Sequence, residues 1–314
     1  MNDELRVYGL HAGIVGLLLI SYFVLPEYHS GNLARIMVLA VYAMGYNLLF
    51  GYTGLLSLGH ALFFASGMYG LGLAMYHMDF AVPSGILMGL LAALITSTVV
   101  GFLALRTSGV AFMIVTLMFA QAGYLTVLYF GEFTRGDEGF VLQQSERVIG
   151  SLDLTSPAGR YFAALLLFAI CFFLIMYIVR SGFGLALIAI RENEERAKML
   201  GYDVVTLKLK AVVISGVMSG AAGAAYALLF GYAGATFATV QYSIFPLLWV
   251  LLGGAGVTIG PLIGTIFMFY LIDYSSSLTM AYMLVAGVVL VLLTLYAPQG
   301  LAGELRRSYF KWLP

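Results

Sequence analysis

Apolar runs of about 20 residues, each long enough for a helix to cross a bilayer, follow one another along this chain. One long polar island interrupts them, from Arg180 to Lys210: RSGFGLALIAIRENEERAKMLGYDVVTLKLK. Within lipid every backbone N–H and C=O must find its partner inside the chain, so only helices or closed barrels can span. The runs are continuous rather than alternating, which disfavours a barrel. The chain is therefore expected to be all-α, a polytopic transmembrane helical bundle. Composition bears on this at one point: 10% of the 314 residues are charged, where soluble domains carry roughly 25%.

Spans are predicted near Tyr8–Leu25, Leu33–Phe50, Thr53–Tyr76, Val82–Leu105, Gly109–Phe130, Tyr161–Val179, Ala211–Phe230, Ile244–Leu271 and Met280–Tyr296. The N-terminal segment reads as a first span that is kept. Asp3 and Glu4 outweigh Arg6, and no small-residue cleavage site follows the apolar run. Residues 1–314 form one transmembrane domain in this reading. The single cysteine, Cys171, allows neither an intrachain disulfide nor a cysteine metal site.

Placement of charge orients the bundle. Of 15 Lys/Arg, six lie in the island and three more (Arg306, Arg307, Lys311) in the tail. That bias places both on the cytoplasmic side, with 181–208 as a cytoplasmic loop. The stretch 131–159 carries five acids against Arg135 and Arg147 and is placed outside. Counting spans back from the island puts the N-terminus inside. Counting forward leaves the basic tail outside unless the run Ile244–Leu271 is broken. It contains Gly253, Gly254, Gly256, Gly260, Pro261 and Gly264. Proline removes a helix hydrogen bond and glycine lets the backbone turn, so a break is predicted around Gly254–Pro261. A second break is predicted at GYTGLLSLGH, residues 51–60, where two apolar runs meet with no charged loop between them. Two Gly-interrupted segments, one in each half, are the pattern of a repeat-built transporter.

Several residues in these breaks are candidates for a solute pathway: Gly51, Thr53, Gly54, Ser57 and His60 in the first, Gly253, Gly254, Gly256 and Gly260 in the second. The spacings Gly256-xxx-Gly260-xxx-Gly264 and Gly216-xxx-Gly220 suit close helix packing as well as a lining role. His60 is either a satisfied interior histidine or a polar group on the path, since ionisable residues are costly within a membrane. His11 and His77 fall near predicted interfaces and carry little weight.

The island is predicted to hold a helix over Ala189–Leu200, ended by Gly201 in the position that favours glycine. Ala189, Ile190, Ala197 and Leu200 give it a loose apolar stripe. Such a helix is either a solvated surface element or one that docks into a groove of a soluble partner. Arg191, Glu192, Glu194, Glu195, Arg196, Ala197, Leu200 and Gly201 are the candidate docking residues.

No pair of ionisable residues lies at mid-span depth, which argues against an ion-coupled carrier. No G-x-x-x-x-G-K-[ST] is present, so the chain does not itself bind ATP through a P-loop. No H-E-x-x-H, G-x-S-x-G or Cys/His cluster suggests an embedded enzyme or a metal site. A net charge of zero gives no reason to expect a nucleic-acid partner.

The stretch Gly51–Gly70 (GYTGLLSLGHALFFASGMYG), the island RSGFGLALIAIRENEERAKMLG, the run LLGGAGVTIGPLIG (251–264) and the closing LYAPQGLAG (295–303) resemble the permease subunit of branched-chain amino acid ABC transporters. The resemblance extends over about 33–303. It implies an ABC importer permease fold with broken or re-entrant helices, and a transport subunit rather than an enzyme. It implies partners too: a homologous second permease, two cytoplasmic ATPases that hold the ATP and Mg, and an external solute-binding protein. The expected location is the bacterial inner membrane. Within the island, Glu195-Arg196-Ala197-xxx-Gly201 is similar to the E-A-A-xxx-G signature of ABC importers. Arg196 replaces its first alanine, and the downstream Leu-Pro is absent. The expected substrate is a branched-chain amino acid. Urea or short amides, carried by related permeases, stay open as alternatives, and so does a stand-alone carrier or channel.

Overall fold

The computed structural model of the chain describes residues 3–150, 152–297 and 299–308; Lys311 of the basic tail lies outside the described residues. Its helices are α1 (Asp3–Val24), α2 (Glu27–Asn47), α3 (His60–Met78), α4 (Val82–Ala104), α5 (Val110–Tyr129), α6 (Gly131–Thr134), α7 (Pro157–Arg180), α8 (Gly182–Glu192), α9 (Glu194–Met199), α10 (Val204–Phe230), α11 (Val240–Gly253), α12 (Gly260–Leu278), α13 (Tyr282–Tyr296) and α14 (Gly300–Ser308). Among the described residues, 6 helices are long and apolar enough to cross a membrane. The protein is a multi-pass membrane protein built as a helical bundle.

Local chemistry sets several helix starts. Ser156 accepts a hydrogen bond from the Gly159 N–H and precedes Pro157, a pairing that suits a first turn. Asp203 does the same for Thr206 at the start of α10. The predicted break in the run Ile244–Leu271 is present. Helix α11 stops at Gly253, α12 begins at Gly260, and Pro261 falls in its first turn, where a missing N–H costs nothing. The glycine series 256, 260 and 264 is therefore not one helix face: Gly256 lies in the connection, with φ +76°.

Helix α2 is the axis of the bundle, buried along nearly its whole length from Leu33 to Asn47 and packed against α7, α10, α11 and α12. Beside it, α3, α4 and α10 come together through small residues. A Cβ added at Gly67 of α3 would sit 2.0 Å from the Gly220 carbonyl oxygen of α10. A Cβ at Gly220 would meet that of Ala93 on α4 at 2.1 Å. Gly216 and Gly220 are thus packing positions. The outward faces of α4, α5 and α13 carry exposed Leu87, Ile95, Met118, Leu284 and Leu292, the surface expected against lipid or an apolar partner.

The connections sort to two ends. Two short strands, β1 (Phe140–Val141) and β2 (Tyr232–Ala233), pair antiparallel. They bring the 131–150 and 231–239 segments to the end opposite the island, where His77 Nε2 also donates to the Phe133 carbonyl at 2.8 Å. The α11–α12 hairpin returns the chain so that α14 packs against α11 and α12 at the island's own end. Basic island and basic tail therefore share one end, as the parity count required.

Arg147 from the acidic loop is 6% exposed. Its Nη1 donates to the Leu228 and Leu229 carbonyls at 3.3 and 3.4 Å. These belong to the last turn of α10, whose carbonyls lack helical partners and whose dipole favours a cation. Arg147→Met is expected to leave them unpaired and cost about 1–3 kcal/mol, read as a lower thermal midpoint in detergent.

Candidate functional site: the island and the two helix breaks

The last turn of α2 widens into a π-helical turn over Leu48–Tyr52, a form frequent at functional positions. The chain then runs irregularly through Thr53–Gly59 before α3 starts at His60. Asn47, 1% exposed, uses its whole amide to join this break to the other. Its Oδ1 accepts from the Gly256 N–H at 2.9 Å and its Nδ2 donates to the Val257 carbonyl at 3.0 Å. Gly51 has to lack a side chain here, because a Cβ would lie 2.5 Å from the Gly256 nitrogen.

Arg191 closes the arrangement from the island. Its Nη1 donates to the Gly51 carbonyl. The same Nη1 lies 3.0 Å from where a Gly256 Cβ would be, and its Cγ 3.1 Å from where a Gly54 Cβ would be. One cationic side chain thus touches both breaks, and glycine makes room for it on each side.

The island holds Arg191 in place through two helices, not the single one expected over Ala189–Leu200. Helix α8 ends at Glu192. Asn193 is extended, with φ −161°, and its side chain accepts from the Arg196 N–H at 2.9 Å to cap α9. An asparagine that caps a new helix competes with continuation of the old one, and that is why the helix divides. At the other end Gly201 takes φ +88°. The Gly201 and Tyr202 N–H groups return to Lys198 and Ala197 at 2.9 and 3.2 Å, the paired bonds of a glycine-closed helix end.

The division also splits the apolar stripe. Ile190 and Ala197 are buried and pack with Val204, Ala189 is half-buried, and Leu200 and its neighbour Met199 are 76% and 79% exposed. Glu192, Glu195 and Arg196 face solvent. Glu194 turns back to Lys208, whose side chain is mostly buried, and to Lys198 at 3.3 Å. The hydrogen bond from Lys208 holds the Glu194 carboxyl below its ordinary range. A depressed acid contributes stability above its unfolded value and loses it as pH falls through the folded value. The hold of α9 on α10 is therefore expected to weaken as pH drops below the ordinary glutamate range. Hydrogen-exchange protection over 194–208, taken relative to the intrinsic rate at each pH, should fall there in the wild type, and Lys208→Met should flatten that response.

The remaining candidates are held by their own local partners. Thr53 Oγ1 donates to the Leu48 carbonyl at 2.9 Å. The Ser57 carbonyl accepts from the Tyr46 hydroxyl at 3.0 Å, and its Oγ accepts from the Gly59 N–H at 3.2 Å. His60 is buried, with Nε2 2.8 Å from Ser215 Oγ, which itself donates to the Gly45 carbonyl; among the described residues the His60 Nδ1 has no partner. Gly253 packs on the Gly260 carbonyl, and Gly254 lies against Gln299 and Gly303 at the start of α14.

Two further residues belong to this arrangement, one that the sequence does not single out and one that carries little weight there for its place near a predicted interface. Asn47 is one. The other is His11, fully buried, with Nδ1 donating to the Val7 carbonyl at 2.8 Å and Nε2 3.0 Å from Thr258 Oγ1. It ties α1 to the second break. In both cases the available signal was a lone polar residue within an apolar run.

A bundle interrupted at two packed breaks, with a solvent-facing island keyed into both, has the build of a membrane transport subunit. The family model described as "Branched-chain amino acid transport system / permease component" matches residues 28–294. The chain belongs to that family. It is 29% identical over 287 residues to the high-affinity branched-chain amino acid transport system permease protein LivM of Salmonella typhimurium, covering 84% of this chain and 68% of that one. The LivM protein of Escherichia coli gives the same figures. A probable branched-chain amino acid transport permease protein LivM of Methanocaldococcus jannaschii is 32% identical over 165 residues, 46% of this chain and 47% of that one. No solved structure matches.

Proposed function

We propose that this chain is a permease subunit of an ATP-driven ABC importer that carries branched-chain amino acids across the bacterial inner membrane. It works beside a homologous second permease, two cytoplasmic ATPases that bind the ATP and Mg, and an external solute-binding protein. Island, N-terminus and tail face the cytoplasm, and the 131–159 loop faces outward. The observation that carries this reading is the contact of Arg191 with both breaks. The exposed face of α9, with Glu195, Arg196, Met199 and Leu200, meets the ATPases. Their closure moves α8 and α9 together, Arg191 shifts against Gly51, Gly54 and Gly256, and the inner closure of the pathway near Gly51–His60 and Gly253–Gly260 opens and shuts.

The test is reconstitution of the chain in vesicles with the second permease and ATPases encoded beside it, plus the binding protein. ATP-dependent accumulation of leucine is expected, with none when ATP is withheld. Accumulation of urea in place of leucine would move the substrate to the amide branch. Flux through this chain alone, without ATP, would establish a stand-alone carrier or channel instead.

A further inference from the structure

At the end opposite the island a cavity of about 300 Å³ lies between α2, α10, α11 and α12. Tyr226, Phe237, Tyr242, Phe245, Trp249 and Phe269 wall it, and Asp273 and Ser276 stand at its rim. The aromatic rings form one continuous surface: Tyr242 meets Phe237 and Phe245 at 5.0 and 5.7 Å, and Phe245 stacks on Trp249 at 5.9 Å and 6°. The volume is at the low end of the range for small-molecule sites, too small for a peptide.

Two polar groups carried by residues that line this chamber stand out. Trp249 is 5% exposed, and among the described residues its buried indole Nε1 has no acceptor. A buried N–H without a partner is costly and rare, and calls for a group that completes it. Among the described residues the Asp273 carboxylate accepts one hydrogen bond, from the Tyr28 hydroxyl at 2.7 Å, and no cation pairs with it. A carboxylate beside aromatic faces is the standard chemistry for an ammonium group.

We propose that this chamber is the outward-facing binding subsite for an aliphatic α-amino acid in its zwitterionic form. Asp273 receives the ammonium group, the Trp249 N–H donates to the carboxylate, and the aromatic wall takes the hydrocarbon side chain. A polar solute such as urea satisfies the two polar groups but leaves the aromatic surface uncovered. The assignment rests on the import reading above, and gives that reading a place where the solute is held before the inner closure opens.

The experiment uses the fully assembled transporter in vesicles, with L-leucine as the probe and 4-methylpentanoate, which lacks the ammonium group, as competitor. Asp273→Asn and Trp249→Phe are each expected to raise the leucine KM about tenfold. Asp273→Asn is also expected to let 4-methylpentanoate compete where it does not in the wild type, and Asp273→Glu to restore part of the discrimination. Leucine KM and competitor ratio unchanged in both variants would overturn the assignment while leaving the import reading intact. A wild-type transporter that moves no leucine would instead remove the import reading, and the assignment with it.

Should these variants fail to assemble, Phe245→Cys in a Cys171→Ala chain gives an independent measurement. Leucine is expected to slow maleimide labelling at position 245 and urea to leave it unchanged. Equal labelling with and without leucine, or protection by urea alone, would overturn the proposal.

Discussion

Arg191→Ala is expected to lower ATP-driven leucine uptake about tenfold or more, while the ATPases stay bound and continue to hydrolyse ATP. The guanidinium donates to the Gly51 carbonyl and sits within contact of Gly256 and Gly54. A charged hydrogen bond of this kind contributes roughly 1.5–3 kcal/mol, enough for a tenfold change or more in the equilibrium between two arrangements of the breaks. The docking face of α9 does not include Arg191, so partner binding should survive. Arg191→Lys keeps the charge but presents a compact ammonium in place of the guanidinium that donates to the Gly51 carbonyl, and is expected to recover only part of the uptake. Parallel measurement of uptake and ATP hydrolysis in vesicles checks this. Unchanged uptake in Arg191→Ala would show that motion of the island reaches the pathway by another route.

Gly67→Ala is expected to be among the most damaging single methyl groups in the bundle. Its Cβ would stand 2.0 Å from the Gly220 carbonyl oxygen, and the Gly67 carbonyl itself lies 2.7 Å from where a Gly89 Cβ would be. Three helices thus meet at backbone distance, and no flexible side chain is available to yield. Overpacking in a close-packed interior costs about 1–3 kcal/mol, and contact with backbone on both neighbours puts this substitution at the upper end. Gly287→Ala is the control, since among the described residues nothing lies within 4 Å of its Cβ. Thermal unfolding in detergent should show a large drop for the first and none for the second.

The helical class and the broken second half were legible because they depend on local chemistry. A run of apolar residues can only be a helix in lipid, and Gly254, Gly256 and Pro261 mark the break by backbone preference alone. The parity of basic segments independently required the α11–α12 hairpin, which is why two separate observations agreed on it. The division of the island helix was also legible in principle. Asn193 followed by two acids has the form of a helix start, but a glycine-ended pattern over Ala189–Leu200 read equally well as one helix.

What joins the island to the breaks was not legible. Arg191 and Gly51 are 140 residues apart in the chain, Asn47 and Gly256 209, and His11 and Thr258 247. No spacing rule connects such pairs; they follow from how α2, α8 and the α11–α12 hairpin pack. The aromatic chamber is hidden for the same reason, since its walls come from four helices and the α10–α11 connection, and each aromatic residue alone reads as ordinary apolar content.

Coupling of the island to ATPase subunits is tested most directly by co-purification in detergent of this chain with the ATPases encoded beside it. Wild type is compared with a Glu195→Lys/Arg196→Glu chain. Both side chains face solvent on α9, so the double reversal leaves the bundle intact and changes only the surface offered to a partner. Retention of the ATPases by wild type and their loss from the reversed chain is the expected result. Wild type that brings down no ATPase, while vesicles holding it alone pass leucine, would contradict ATP-driven import.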